Sequence, residues 1–143
     1  MRDTLLLYIN GKRHDIGNEQ AFMPLSDLLR YGLGQTGTKV VCAEGDCGAC
    51  SVLLGRLVNG EMTYVPVNGC IQYLYQLDGC HVVTIEGLKD NDALNPVQEA
   101  MMNCHGAQCG YCTPGIVVTM CAMFKDKTDG KSTTQQDIKD CLT

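Results

Sequence analysis

Two stretches of the chain alternate apolar and polar residues in the way expected for half-buried β-strands. Each is followed by an Asn-Gly dipeptide, the strongest short signal for a β-hairpin turn. After each dipeptide a second stretch can return alongside the first. The two predicted hairpins comprise residues 5–9 and 12–16, joined by Asn10-Gly11, and residues 51–58 and 62–67, joined by Asn59-Gly60.

Between and after the hairpins the apolar spacing becomes helical or disappears. Pro24 opens a stretch with helical spacing that can end at Gly32 or Gly34. Residues 34–50 contain glycines and three cysteines without apolar periodicity, which predicts a loop. A short helical stretch at 71–77 and a strand at 81–85 complete the pattern. We therefore expect an α+β fold in which a mixed sheet packs against a helix.

The pattern changes after residue 86 and becomes helical throughout. A polar connector at 89–92 leads to Asn95 as N-cap and Pro96 at the first position of a helix that ends near residue 104. A second helix fits residues 114–124 and is followed by a charged loop at 125–131. A third helix begins near Ser132 or Thr133, each with Gln three residues later as a capping box. The predicted domains are residues 1–87 and 88–143.

Composition and charge narrow the class of protein. With 45% hydrophobic and 19% charged residues, the chain is typical of a globular protein with a core. Sixteen acidic against eleven basic residues give a net charge of −5, which disfavours nucleic acid as a partner. The longest apolar run, residues 116–124, is about half as long as a membrane-spanning helix. The short apolar start does not fit a signal peptide, so we expect a cytoplasmic protein without a membrane partner.

The ten cysteines carry most of the chemical information. Clustered cysteines without a secretory start favour metal ligation over disulfides. Cys42, Cys47 and Cys50 form a C-x4-C-x2-C pattern in the glycine-rich loop, and Cys70 follows the second hairpin. This is the spacing of plant-type 2Fe-2S ligation, in which three thiolates converge from one loop. A zinc site with four cysteines is the main alternative, although zinc usually takes paired C-x2-C knuckles.

A second C-x2-C, formed by Cys109 and Cys112, precedes the helix predicted at 114–124. It fits half of a metal site, a zinc knuckle or a redox pair, and the helical surroundings favour half of a metal site. Cys104 and His105 could complete a zinc site with this pair. The other cysteines and the methionines at helical spacing are expected in the core, and the two strand histidines are not expected to be ligands. These residues are Cys80, Cys104, Cys121, Cys141, Met101, Met102, Met120, Met123, His14 and His81.

Taken together, these motifs resemble the 2Fe-2S part of the molybdenum hydroxylases, in particular the xanthine dehydrogenase/xanthine oxidase group. The resemblance covers nearly the whole chain, and the combination of motifs is highly specific. The matching stretches are Gly37-Thr38-Lys39, residues 42–50, Val67-Asn68-Gly69-Cys70, Asn95-Pro96-Val97-Gln98 and residues 108–115.

The resemblance implies a β-grasp ferredoxin-like domain followed by a small helical 2Fe-2S-binding bundle. Cys109 and Cys112 would ligate a second cluster near the molybdenum, and Gln108 would contact the pterin. In this family a purine, aldehyde or related carbon is hydroxylated at a molybdenum–pterin centre, and electrons pass through both clusters to FAD and often to NAD. Molybdopterin, FAD and catalysis would lie on other domains or chains. The chain is therefore expected to be the electron-transfer part of an oxidoreductase.

The chain departs from the family pattern at its second cluster. The family completes that cluster with a C-x-C pair a few residues beyond the position of Thr143, and the lone Cys141 does not replace the pair. We therefore expect a truncated bundle with one complete cluster site and one half-site. Ile116, Met120 and Met123 are expected to lack full cover and to mark a partner interface. The alternative function is a zinc-loaded structural or interaction module without a redox role.

Overall fold

The computed structural model describes residues 2–89, 93–126 and 134–142. Five strands form one mixed sheet in the order β2-β1-β5-β3-β4. The central pair β1 and β5 is parallel, and the other neighbouring strands are antiparallel. Both predicted hairpins are thereby confirmed. The strands are β1 (Thr4–Ile9), β2 (Lys12–Gly17), β3 (Ser51–Val58), β4 (Glu61–Asn68) and β5 (His81–Val83).

The two hairpin turns have the backbone that their Asn-Gly dipeptides favour. Asn10 and Gly11 have φ angles of 50° and 79°, and Asn59 and Gly60 have φ angles of 51° and 86°. Positive φ at both central residues defines the type I′ turn, whose twist matches that of paired strands. The register is fixed accordingly, because each turn leaves the two residues that flank it directly paired.

The helices follow the predicted order but differ in detail. The stretch after Pro24 is helical, with its second half a π-helix, and only the end of the predicted 71–77 segment forms a 3-10 turn. The last strand is two residues shorter than predicted because Ile85 begins another 3-10 turn. The helices are α1 (Leu25–Asp27), the π-helix (Leu28–Gly32), α2 (Pro96–Asn103), α3 (Thr113–Asp126) and α4 (Gln135–Leu142), and the 3-10 turns are Asn18–Gln20, Leu74–Leu77 and Ile85–Leu88.

Both faces of the sheet are covered by helices. On one face Leu7, Ile9 and Leu54 belong to a core with the buried residues of α1 and the π-helix. On the other face α3 lies across β3, and Val118 and Ala122 of α3 pack with residues of β3 and β5. Strand β3 is therefore buried on both sides over its first five residues. The helical half of the chain completes the core of the first half.

The position of α3 corrects one expectation about exposed residues. Met123 is buried, with 9% of its surface exposed. Ile116 and Met120 are half-buried, as expected for residues with incomplete cover. The apolar surface available to a partner is therefore smaller than the sequence suggested.

The helix caps are partly confirmed. Asn95 caps α2, since its side-chain oxygen accepts hydrogen bonds from the backbone N–H groups of Val97 at 2.9 Å and Gln98 at 3.0 Å. The described start of α4 has Thr134 and Asp137 as its reciprocal cap, with distances of 2.8 and 3.2 Å. The predicted starts at Ser132 and Thr133, most of the 89–92 connector and most of the 125–131 loop lie outside the described residues, as does the side chain of Cys141.

The fold adds little to the predictions about membrane association and domain boundaries. Within residues 2–89, 93–126 and 134–142, the helices are too short or too polar to cross a bilayer. The division between residues 87 and 88 stays a prediction, and so does the cytoplasmic location. Packing of α3 on β3 means that the two predicted domains would share an extensive contact.

Candidate metal centre

The glycine-rich loop between the π-helix and β3 contains three of the predicted ligands. It has no regular secondary structure, and its backbone reverses repeatedly, with positive φ at Ala43 (58°), Gly45 (83°) and Gly48 (70°). Such angles are easy for glycine and strained for alanine. A β-carbon at Gly45 would lie 2.6 Å from the terminal side-chain carbon of Ile71, so a larger residue would displace Ile71 in addition to straining the backbone.

Cys42 and Cys47 form the outer half of the site. The backbone N–H of Cys47 donates a hydrogen bond to Sγ of Cys42 at 3.4 Å. That N–H, followed by the N–H of Glu44 and then the Cys47 side chain and Asp46, lowers the pKa of the Cys42 thiol to about 6. Cys42 is half-buried and Cys47 is exposed. The loop thus stabilises a thiolate at neutral pH, which is the form that binds metal.

Cys50 and Cys70 form the inner half of the site. Only 2% of Cys50 and 8% of Cys70 are exposed. Burial, followed by the neighbouring Cys50 thiol, raises the pKa of Cys70 to about 11. The Cys42 thiol adds a smaller contribution to the rise in the pKa of Cys70, because it lies on the neighbouring half of the site. The buried pair needs a bound cation to become doubly ionised, because two bare thiolates in a poorly solvated position repel each other.

Hydrogen bonds from the strand ends hold the loop in place. The Asn68 side-chain amide donates to the Gly45 carbonyl at 2.6 Å, and Ser51 Oγ donates to the Gly48 carbonyl at 2.8 Å. The Ser51 hydroxyl also lies 3.3 Å from Asn68 Oδ1. No role at the site was predicted for Ser51 or Asn68. Their positions at strand ends next to the cysteine loop could have indicated this role, because both side chains are polar.

The second cysteine pair lies in a much less constrained environment. Cys109, Cys112 and the predicted pterin contact Gln108 are all exposed. The Cys112 carbonyl accepts a hydrogen bond from the backbone N–H of Ile116 at 3.2 Å, so the pair directly precedes the first turn of α3. Two thiols provide half of the ligands that a 2Fe-2S cluster needs.

Cys104 and His105 do not join this pair. Cys104 is exposed at the end of α2, and it lines a cleft of about 1030 Å³ that does not include Cys112. The prediction that Cys104 lies in the core is wrong, because the short helix α2 has no buried residues. Among the described residues, no three His, Cys, Asp or Glu side chains converge on the position of a single metal ion.

The remaining predictions about sulfur and histidine residues have mixed outcomes. Cys80 and Cys121 are buried, as predicted. Met102 is 60% exposed, so its assignment to the core is wrong for the same reason as that of Cys104. The His81 ring lies between the Tyr64 hydroxyl, 2.7 Å from Nδ1, and the N–H of Gly11, which donates to Nε2 at 3.1 Å. His14 lies on the edge strand β2. Both histidines lie on strands of the sheet.

A small cleft brings the two cysteine sites to one place. Its volume is about 300 Å³, and Cys47 of the first site and Cys112 of the second both line it. The backbones meet beside it, since a β-carbon at Gly115 would collide with the carbonyl oxygen of Gly48. Leu142, near the end of α4, also lines this cleft. The first loop, the start of α3 and the end of α4 therefore converge.

Comparison with known proteins identifies a matching domain family and similar dehydrogenases. A [2Fe-2S] binding domain model matches residues 84–143. Xanthine dehydrogenase 1 of Arabidopsis thaliana is 41% identical over 140 residues, which is 96% of this chain and 10% of that protein. The chain thus spans about a tenth of the length of the curated relatives it matches.

Solved structures agree with these matches over the whole fold. Aldehyde oxidoreductase from Desulfovibrio gigas superposes with a TM-score of 0.80 at 34% identity, covering 97% of this chain and 14% of that one. A chain of quinoline 2-oxidoreductase from Pseudomonas putida 86 superposes with a TM-score of 0.73 at 29% identity, and there the match covers 98% of this chain and 90% of the other. The matched region occurs both within a long chain and as nearly all of a short one.

Proposed function

Because this chain belongs to the molybdenum hydroxylase family as its 2Fe-2S-binding part, we propose that it relays electrons from a molybdenum–pterin centre towards FAD. The family places the chain in iron–sulfur electron transfer within an oxidoreductase. The direction of transfer, the ligand residues and the partner cofactors are our proposal. The observation that carries it is the arrangement of Cys42, Cys47, Cys50 and Cys70 as two neighbouring pairs.

We assign these four cysteines as the ligands of one 2Fe-2S cluster, which accepts and returns one electron when bound. A cluster with two metal ions takes two thiolates at each end, and the outer and inner pairs fit that division. A single zinc ion would require all four sulfurs around one point, whereas the outer and inner pairs divide the four thiols between two ends of the site. The paired geometry therefore favours the iron–sulfur assignment over the zinc-loaded alternative.

The protein around the site does three things for a cluster. The backbone N–H groups near Cys42 stabilise negative charge on sulfur. The burial of Cys50 and Cys70 excludes water from the inner end, and the exposed Cys47 leaves the outer end open to a partner. The hydrogen bonds of Ser51 and Asn68 keep the loop in one conformation, so little rearrangement accompanies a change in charge.

We propose Cys109 and Cys112 as half of a second 2Fe-2S site on the molybdenum side. A 2Fe-2S cluster there needs two more ligands, and the family resemblance implies that they come from a C-x-C pair within about ten residues after Thr143. Leu142 lines the same cleft as Cys112, so a continuing chain would leave α4 beside the pair. The cleft shared by Cys47 and Cys112 would then be the shortest route between the sites.

The partners follow from this direction of transfer. Gln108 is exposed next to Cys109, and we propose that it contacts the pterin of a molybdopterin-binding domain. FAD, and NAD where it is used, would lie on a second domain that faces the exposed outer pair. Both domains belong either to the same polypeptide or to other subunits. Hydroxylation of a purine, as in purine catabolism, or of an aldehyde would take place on those partners.

A reductive titration tests the proposal. The chain is reconstituted anaerobically with iron and sulfide and titrated with dithionite while its visible spectrum is recorded. We expect a brown protein whose charge-transfer absorption bleaches on uptake of about one electron per chain, because one ligand set is complete. A colourless, zinc-containing protein would favour the alternative function. Turnover of a purine or aldehyde by the chain alone with an artificial acceptor would contradict the relay function.

A further inference from the structure

Lys39 stands on a firmly held segment just before the first cysteine loop. Within residues 36–39, the Gly37 N–H donates to Glu86 Oε1 at 2.8 Å. Arg30 donates to two carbonyl oxygens of the same segment, at 3.1 and 2.7 Å. The Lys39 ammonium itself donates to one of these carbonyls at 2.7 Å. The backbone segment that carries Lys39 and the Lys39 ammonium group are therefore both held in one position.

The Cys109–Cys112 loop has few constraints of its own. No side chain from His105 to Cys112 forms a hydrogen bond with another described residue. His105 and Gly110 have positive φ angles of 51° and 81°, and most of the loop is exposed. A loop with exposed backbone and few contacts opens easily.

One side-chain contact joins these two unequal regions. The Lys39 ammonium lies 5.8 Å from the centre of the Tyr111 ring, which sits between Cys109 and Cys112. This distance is within the range in which an aromatic face attracts a cation. Because the lysine is fixed and the loop is not, the contact restrains the loop rather than the lysine.

We propose that Lys39 is a positioning residue, which holds the Cys109–Cys112 loop against the first cysteine loop through its cation–π contact with Tyr111. We call this contact between Lys39 and Tyr111 the clamp. It lies four residues along the chain from the contact of Gly115 with Gly48, and the two contacts together fix the separation of the two cysteine sites. The significance of that separation for electron transfer rests on the proposed function. The clamp itself does not depend on a bound cluster.

Amide hydrogen exchange of the full chain tests the clamp. Exchange of the Ile116 amide, which donates to the Cys112 carbonyl at 3.2 Å, is compared between the native chain and the Lys39→Met and Tyr111→Leu variants, with the amides in the middle of α3 as internal control. We expect two- to five-fold faster exchange in either variant, a range that corresponds to an exposed cation–π contact. Lys39→Arg and Tyr111→Phe should exchange like the native chain, because they keep the cation and the ring. The double variant should exchange no faster than the single ones.

A second readout applies to the chain with iron and sulfide bound at the first site. Paramagnetic relaxation of the 110–112 amide protons on reduction depends on their distance from that site, and it should fall in Lys39→Met but not in Lys39→Arg. Native-like exchange in Lys39→Met, equal effects of Lys39→Met and Lys39→Arg, or additive effects in the double variant would overturn the clamp. A chain that binds no iron would contradict the proposed function, while exchange in the apoprotein would still test the clamp.

Discussion

The two cysteine sites of this chain show what a sequence motif needs in order to become a metal site. The first site combines four thiols with backbone N–H groups, two polar strand ends and a loop that only glycine permits at its tightest point. The second has a C-x2-C motif on an exposed loop with half of a ligand set. The spacing already gives the first site four ligands and the second only two. The surrounding structure adds a second difference, because it holds the first loop in place and leaves the second loop exposed.

Replacing one ligand at each site should show the largest difference between the two sites. Cys50→Ser should abolish the EPR signal of the reduced chain, because the inner pair cannot bind iron with one thiolate. Cys109→Ser should leave that signal intact, since the pair does not contribute to the first site. Cys121→Ser serves as a buried control and should cost about 1–3 kcal/mol of stability without affecting the signal. Equal loss of signal in all three variants would refute the ligand assignment.

A matched pair of glycine substitutions compares the two loops directly. Gly45 and Gly110 have nearly the same φ, 83° and 81°, but a β-carbon meets Ile71 at Gly45 and open space at Gly110. Gly110→Ala should cost about 1–2 kcal/mol from the backbone alone. Gly45→Ala should cost about 1 kcal/mol more and lower the iron content, because Ile71 must move. Chemical denaturation and iron analysis measure both effects, and equal costs would show that the first loop is no tighter than the second.

Losing one hydrogen bond at the first site should have a smaller effect. Asn68→Asp keeps the shape and the oxygen near Ser51 but removes the N–H that donates to the Gly45 carbonyl. We expect a loss of about 1 kcal/mol in unfolding free energy and faster release of iron to a chelator. Asn59→Asp in the exposed turn between β3 and β4 is the control. Indistinguishable iron release from the two variants would mean that Asn68 does not hold the loop.

The smallest effect is on thiol reactivity within the first site of the apoprotein. The pKa of Cys42 is lowered to about 6 and that of Cys70 is raised to about 11, so at pH 7 the first is mostly thiolate and the second is thiol. Alkylation of Cys42 should rise from pH 5 to pH 7 and then level off, whereas alkylation of an ordinary thiol, with a pKa of about 8.5, keeps rising to about pH 9.5. Peptide mapping by mass spectrometry measures both residues. Continued increase at Cys42 above pH 7 would contradict the role of the loop N–H groups.

Local signals in the sequence predicted local structure well. The two Asn-Gly turns and the Asn95-Pro96 helix start need only neighbouring residues, and each has the predicted geometry. The cysteine spacing is also local, since three of its members lie in one loop. Cys104 and Met102 were assigned wrongly because burial depends on what α2 packs against, which the helical spacing does not contain.

Contacts between distant segments could not be predicted. Val118 and Ala122 of α3 are buried against the sheet, and the approach of Gly115 to Gly48 brings together residues that are far apart in the chain. The roles of Asn68 and Lys39 depend on the same kind of contact. Spacing and family resemblance therefore predicted one complete site and one half-site, while the hydrogen bonds that hold the first loop and the cleft that joins the two sites became apparent only from the fold.

Iron and acid-labile sulfide per chain, measured together with the EPR spectrum after reduction, test the central claim most directly. The account predicts about two irons and two sulfides in the 143-residue chain and one signal, because only Cys42, Cys47, Cys50 and Cys70 form a complete ligand set. Four irons with two distinct signals would show that the second pair is complete without further residues. Zinc in place of iron would contradict the electron-transfer function itself.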